Sequence, residues 1–479
     1  MAKSIFITTT IPYVNSHPHV GHAQEFVVAD CIARLYRQHG YQVRFQTGTD
    51  ENASKNVIAA RRAGVSIQEF VDRNAALFRS LVQNLDVSAD TFIRTTELRH
   101  QKGVELFWSR LDTEDLYAHS YKGLYCVGCE DFLLEKDLLD GICPDHRTVP
   151  EAIEEENIFF RLSRYQKQLE QLIKSDTIRV LPITRKNEVL CFIQQGLQDI
   201  SLTRHKNRSD GWGIRVPGSS DQIIYVWIDA LINYLTGQGF GEGEEWAKLW
   251  NQETRKIHVI GKNVWKFHAV YWPALLLSAG LPLPNEIIVH GFLTNDGVKI
   301  SKSLGNSVDP LDVIAAYGSD AVRHLLLART PIFVDSDFSR DRLAQIYSGD
   351  LAHRLGNLYS RLRVLCEKAG FESWVKSEAA FDNRVEVLLQ AYDLTEIAVE
   401  AWSEIDRLNA EINRKRPWDL LKNSDSEPLH SLLSDWIQRL DQVAKRLEPY
   451  LTKASQEIQS GLQGRGGDRI LFSSRNLHT

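Results

Sequence analysis

The sequence predicts an α/β domain with a parallel sheet, broken by a cysteine-rich insertion and followed by an all-helical bundle. Three observations predict it. The first fifty residues run strand, helix, strand with short loops. The stretch from Leu116 to Arg164 is dense in Gly, Cys, Pro and acidic residues. After Asp341 the apolar residues recur only at helical spacing.

Ser4 to Thr10 is β-branched and aromatic, as strands are. A loop with Pro12, Asn15 and Pro18 follows. A helix begins near Gly21, because Ala23, Val27, Cys31 and Leu35 recur every four residues beside Phe26 and Ile32, and Gly40 ends it. Gln42 to Thr47 is a second strand, closed by Gly48-Thr49-Asp50. A strand–helix–strand unit implies parallel strands. Ligands in such sheets bind beyond the carboxyl ends of the strands. The loops at that edge are Ile11 to His22 and Gly48 to Asn56. Strand and helix signals return from Pro182 to Phe338, with strands expected at Gln222 to Ile228, Lys256 to Ile260 and Glu286 to His290.

The helical part carries three stripes. Leu351, Leu355, Leu358, Leu362 and Leu365 form the first. Leu388, Tyr392, Val399, Ile405, Leu408 and Ile412 form the second, which must break before Pro417. Leu433, Trp436, Ile437, Leu440, Val443 and Leu447 form the third. The organisation expected is 1–115 and 171–340 as two halves of the sheet domain, 116–170 as the insertion, 341–460 as the bundle and 461–479 as a mobile tail.

A chain of 479 residues is too long for one core. With 43% hydrophobic and 25% charged residues it is ordinary for a globular protein, and no apolar run is long enough to span a bilayer. The N-terminus runs straight into the first strand without a signal-peptide shape, so a cytoplasmic protein with no membrane partner is expected. A net charge of −6 neither announces nor excludes a nucleic-acid partner, since local basic patches make phosphate contacts. Six cysteines are too few for a disulfide scaffold at this size.

Three constellations carry chemistry. Pro18-His19-Val20-Gly21-His22 lies at the strand–loop–helix junction, where unpaired N–H groups suit phosphate and the histidines can donate to a phosphoryl group. Alone, so short a motif reads rather as a capping loop with incidental histidines. Lys299-Ile300-Ser301-Lys302-Ser303 lies between the turn signals Asp296-Gly297 and Gly305-Asn306. Its lysines can neutralise a triphosphate and a leaving pyrophosphate; alone, it is an ordinary solvated loop. Cys126-Val-Gly-Cys129 and Cys143-Pro-Asp-His146 have the spacing of a closed tetrahedral zinc site, which makes one structural ion the expectation. Cys31, Cys191 and Cys366 are isolated and read as core. Trp227 and Tyr234 can wall an apolar pocket, or be core aromatics.

The first two motifs together resemble the paired signatures of class I aminoacyl-tRNA synthetases, in the right order and on the right elements. From near residue 4 to near residue 455 the chain resembles the methionyl-tRNA synthetase family. Thr10-Ile11-Pro12-Tyr13-Val14-Asn15, Phe92-Ile93-Arg94-Thr95-Thr96, Glu156 to Ser163, Tyr225 to Tyr234, Phe267 to Ala274 and Arg416-Pro417-Trp418 carry the resemblance. It implies a Rossmann-type catalytic domain, a zinc-knuckle insertion and an anticodon-binding bundle. The insertion is too short for the editing domain of the relatives that handle isoleucine, valine and leucine.

The resemblance also implies roles. His19, Gly21, His22, Gly261, Asn263, Lys299, Ser301 and Lys302 would bind ATP with its magnesium, and His19, His22, Lys299 and Lys302 would be catalytic. Asp50 would hold the substrate ammonium. Ile11, Tyr13, Trp227, Ala230, Tyr234, Val264 and His268 would form the methionine pocket. A thioether is a weak acceptor, so Tyr13 and His268 would recognise sulfur only modestly, leaving much to shape. Asn357, Arg361 and Trp418 would read the CAU anticodon of tRNA(Met), with Trp418 stacking on a base. Arg414-Lys415-Arg416 beside it fits a phosphate contact, or a solvated helix end.

Three departures stand out. Asn52-Ala53 replace the family's His-Gly, Asn263 replaces its Asp after Gly-Lys, and Leu231 replaces a proline that some members carry. The first two leave two further readings: a paralogue with altered amino-acid or inhibitor specificity, and a non-catalytic tRNA-binding relative. No added dimerisation domain follows the bundle, so a monomer is expected.

Overall fold

The structure is a computed structural model that describes residues 4–126, 131–133, 135, 138–144, 147–295, 298–299, 308–371, 383–421, 426–463 and 470–472. It divides into two compact units. The first comprises Met1–Pro18, Tyr41–Ser80 and Ala89–His290; the second comprises His19–Gly40, Leu81–Ser88 and Gly291–Thr479.

The first unit is built on a six-stranded, all-parallel sheet. Its strands are β1 (Ser4–Thr9), β2 (Gln42–Thr49), β3 (Thr91–Arg94), β4 (Arg179–Leu181), β5 (Arg255–Gly261) and β6 (Glu286–His290). They lie in the order β3-β2-β1-β5-β6-β4. The order reverses direction between β1 and β5, and that switch point is where a doubly wound sheet opens a crevice. β1, β5 and β6 are buried almost throughout, polar residues such as His258 included, because helices cover both faces of such a sheet. Gly48 lets β2 approach β3, since a Cβ there would lie 2.1 Å from the Ile93 carbonyl oxygen.

The insertion forms a four-stranded antiparallel sheet. Leu116–Cys126 pairs along its length with Glu151–Phe160, and Asp131–Leu133 and Ile200–Ser201 lie at the edges. Gln222 to Ile228 is not one strand. Only Gln222–Ile224 is extended, and a helix occupies Val226–Thr236. That helix is buried almost throughout, so it lacks the polar face that would have marked its period.

In the second unit a helix, α1, spans Val20–Gln38. Its buried Asp30 accepts from Arg34 at 2.9 Å, from Arg323 at 2.7 Å and from the Ser88 backbone at 2.7 Å. Burial pushes the Asp30 carboxyl up, but the two guanidinium groups more than offset this and the group is held ionised. The helical segments Tyr347–Gly356 and Asn357–Ala369 present the expected first stripe to a core, and Ser426–Leu447 presents the third. The second stripe is interrupted: Asn383–Ala391 ends at Tyr392, whose φ is 56°, and a new helix starts at Leu394. Val399 is exposed and Cys191 is exposed, so neither is core. The helix Leu394–Lys415 stops at Arg416, left-handed with φ 49°, directly before Pro417. Most of the tail expected to be mobile lies outside the described residues; Phe472 packs edge-on to Tyr347 at 6.0 Å. No described helix is long and apolar enough to cross a membrane.

Candidate active site and RNA-binding face

In the first unit, the loops leaving β1 and β2 are tied at the carboxyl edge of the sheet. Asp50 N donates to Pro12 O at 2.9 Å, and Tyr13 pairs with Asp50 as a parallel bridge. Asp50 is 1% exposed, and its Oδ1 accepts from Asn52 N at 3.3 Å. A carboxylate buried at this edge suits a primary ammonium.

An aromatic wall stands in the same unit. Tyr13 meets Trp227 edge-on at 5.6 Å, and Trp227 stacks on Phe267 at 4.0 Å. Tyr234 Oη lies 2.7 Å from His268 Nε2, and His268 Nδ1 lies 2.9 Å from Val264 O. A carbonyl oxygen only accepts, so Nδ1 carries the ring proton, Nε2 accepts and the Tyr234 hydroxyl donates. His268 therefore has both ring nitrogens engaged, which throws selection of a thioether onto shape and ring contacts. Ala230 and Val264 are buried, while Ile11 and Tyr13 are half-buried in the first loop. Asn263 is exposed in the turn after β5, and a Cβ on Gly261 would lie 3.1 Å from its Oδ1.

Asn52, marked in the sequence only as a departure, and two residues it did not assign to the site, Asp229 and His100, complete this region. Asn52 Nδ2 donates to Asp229 Oδ2 at 2.7 Å and to Thr95 O at 3.2 Å. The other Asp229 oxygen lies 2.6 Å from His100 Nε2. Asn52 is thus the middle of a buried network that pins the β2 loop to the helix bearing Trp227, Ala230 and Tyr234. Asp229 was legible, inside the Tyr225–Tyr234 motif; nothing local marks His100. A fourth, His258, lies beneath the wall. Its Nδ1 is 2.6 Å from Thr8 Oγ1 and its ring is 4.3 Å from Tyr234. Burial, then the neighbouring His268 and Lys256, hold it well below the ordinary histidine pKa, so it is neutral. Burial also lowers Lys256 to about 8.

In the second unit His19 caps α1. Its Nδ1 accepts from Gly21 N at 3.1 Å, and His22 Nδ1 accepts from His19 N at 3.1 Å. The rings stack at 3.8 Å. Since both Nδ1 atoms accept, both neutral rings carry their proton on Nε2. Capping and phosphate donation, alternatives in the sequence, are compatible. Val20 N donates to Val308 O at 3.2 Å, tying the start of α1 to the chain that follows the lysine loop. The Lys299 backbone pairs with Thr294; its side chain, with Ser301 and Lys302, lies outside the described residues.

Farther along this unit, Asn357 and Arg361 are one helical turn apart. Arg361 Nη2 donates to Asn413 Oδ1 at 2.7 Å, and its guanidinium sits 6.0 Å from the centre of the Trp418 ring. Trp418 is 37% exposed. An exposed indole beside a cation is a platform for an unpaired base.

This sheet, with a histidine-capped helix following its first strand, is that of a class I tRNA synthetase, and the chain belongs to that family: the family model for tRNA synthetases class I (M) matches residues 5–149 and 136–363. The methionine–tRNA ligase of Thermotoga maritima is 39% identical over 95% of this chain and 74% of its own length. That of Rickettsia felis is 35% identical over 96% and 92%. Mycobacterium tuberculosis methionyl-tRNA synthetase in complex with methionyl-adenylate superposes with a TM-score of 0.88 at 35% identity, over 98% of this chain and 97% of that one. Within the class, the chain falls among the methionine–tRNA ligases.

Proposed function

We propose that this protein activates methionine with ATP and transfers it to tRNA(Met). The observation that carries the reading is the buried Asp50 carboxylate beside the wall of Tyr13, Trp227, Tyr234 and His268. Such a site holds an ammonium at one end and an apolar side chain at the other. A methionine carboxylate oxygen attacks the α-phosphorus of ATP, the bond to the β-phosphate oxygen breaks, and magnesium pyrophosphate leaves. A terminal ribose hydroxyl of the tRNA then attacks the carbonyl carbon, and AMP leaves. Catalysis is positioning and electrostatics: Nε2–H groups of His19 and His22, with Lys299 and Lys302, meet charge that grows on phosphoryl oxygens. Gly21, Gly261, Asn263 and Ser301 complete the ATP contacts; Ile11, Ala230 and Val264 complete the methionine pocket.

The insertion fits one structural zinc. Cys126 and Cys143 are each 1% exposed and come from separate strands of chain. Thr148 links them: its Oγ1 is 3.9 Å from Cys126 Sγ, and its carbonyl accepts from Cys143 N at 2.9 Å. Cys129 and His146, the other two expected ligands, lie outside the described residues. Among those described, no group of three or more His, Cys, Asp or Glu residues is placed to hold a metal ion. Asn357, Arg361 and Trp418 read the anticodon, and the protein acts as a cytoplasmic monomer. The test is charging. Base stacking is worth about 1–3 kcal/mol, so Trp418→Ala should lower kcat/KM for tRNA(Met) roughly 5- to 150-fold and leave methionine activation unchanged. Unchanged charging by this variant would remove Trp418 from the tRNA-binding face.

A further inference from the structure

Asp229 is fully buried on the helix Val226–Thr236, and each of its oxygens meets a donor. Oδ2 accepts from Asn52 Nδ2 at 2.7 Å, and Oδ1 lies 2.6 Å from His100 Nε2. His100 is itself buried, with its Nδ1 2.7 Å from Thr236 Oγ1 on the same helix as Asp229. A buried carboxylate is costly unless it is hydrogen-bonded, so Asp229 and its two donors hold one another in place.

Both hydrogens of the Asn52 amide are engaged, one by Asp229 and the other by Thr95 O at 3.2 Å. The side chain is therefore fixed, and its backbone with it. That backbone N–H is the group that donates to Asp50 Oδ1 at 3.3 Å, an Asx turn. Between them, Glu51 N is held by Thr95 Oγ1 at 2.8 Å. Asp229 thus acts on the Asp50 carboxylate through Asn52. On its own helix Asp229 stands between Trp227 and Ala230, two residues of the methionine pocket. One carboxylate therefore joins the ammonium end of the site to its apolar wall.

We propose that Asn52 and Asp229 are positioning residues that fix the span between the Asp50 carboxylate and the aromatic wall, and so the side-chain length the site accepts. The inference rests on the methionine-binding role given to Asp50 and that wall above. It is tested on the full chain with Asn52→Leu, which removes the donor, and with Asn52→His, which keeps an N–H for Asp229. Pyrophosphate exchange is followed at pH 8, where a histidine is ordinarily neutral, with methionine and with ethionine, one methylene longer. In Asn52→Leu the expected KM for methionine is roughly 5- to 150-fold higher, with kcat and KM for ATP changed less than about twofold. The preference for methionine over ethionine, roughly 10- to 200-fold for one methylene in a well-held pocket, should fall toward one. Asn52→His should restore both quantities most of the way to the wild type. Equal losses for methionine and ATP, or a lower melting temperature with KM and preference unchanged, would make the network merely structural and overturn the proposal. Should Asn52→Leu fail to fold, Asn52→His decides: wild-type preference supports the link, and a lost preference in a folded protein overturns it. Asp50→Ala with an unchanged KM for methionine would instead overturn the reading of Asp50 on which the inference stands.

Discussion

Replacing Tyr234 by Phe removes one oxygen atom and tests the methionine pocket directly. The ring keeps its contacts with His258 at 4.3 Å and Trp272 at 6.1 Å, so packing is unchanged. What is lost is the 2.7 Å bond to His268 Nε2. His268 is 3% exposed and its Nδ1 proton is committed to Val264 O, so its buried Nε2 loses the hydroxyl that donates to it. Removing the donor to a buried acceptor costs about 1–3 kcal/mol. At about 1.4 kcal/mol per factor of ten, the loss is roughly 5- to 150-fold if it falls on the state that binds methionine. Steady-state pyrophosphate exchange should therefore show KM for methionine raised by such a factor, with KM for ATP changed less than about twofold, because uniform binding of one substrate is lost. An unchanged KM for methionine, or equal losses for both substrates, would refute the pocket assigned here.

Two further outcomes follow from the structure. His258 stays neutral in the folded protein while its unfolded counterpart takes up a proton near pH 6.5, so stability contributed by this site is complete above pH 6.5 and is lost as pH falls below it. The slope is up to about 1.4 kcal/mol per pH unit, and His258→Asn should flatten the acid limb of a chemical-denaturation series by that amount; an identical limb would contradict it. Metal analysis of purified protein should find about one zinc per chain, lost in Cys126→Ser; a wild-type content near zero would remove the proposed knuckle.

Much of the architecture was legible because period and punctuation agree. β1, α1 and β2 follow their apolar spacing, and the stripes ending in Leu365 and Leu447 are core. The helix at Val226 was hidden because burial on all sides removes the polar face that gives a helix its period. Tyr392 has no residue signature for a left-handed φ, so the break there could not be foreseen. The site divides the same way. Its backbone-defined parts, the capped start of α1 and the loop at Asp50, sit in recognisable motifs. The Asn52–Asp229–His100 network joins residues 177 and 129 positions apart in sequence, and only the fold brings them together. Asn52 is a departure that makes sense in place: it donates to Asp229 as a histidine can, without adding an ionisable group.

The most direct test is ATP–pyrophosphate exchange by the purified protein across the standard amino acids and a few thioether analogues. Exchange with methionine, and with analogues that keep its shape, is the predicted result. Exchange driven by another amino acid, or none at all, would contradict methionine activation and make Asn52 and Asn263 the residues that define a different protein.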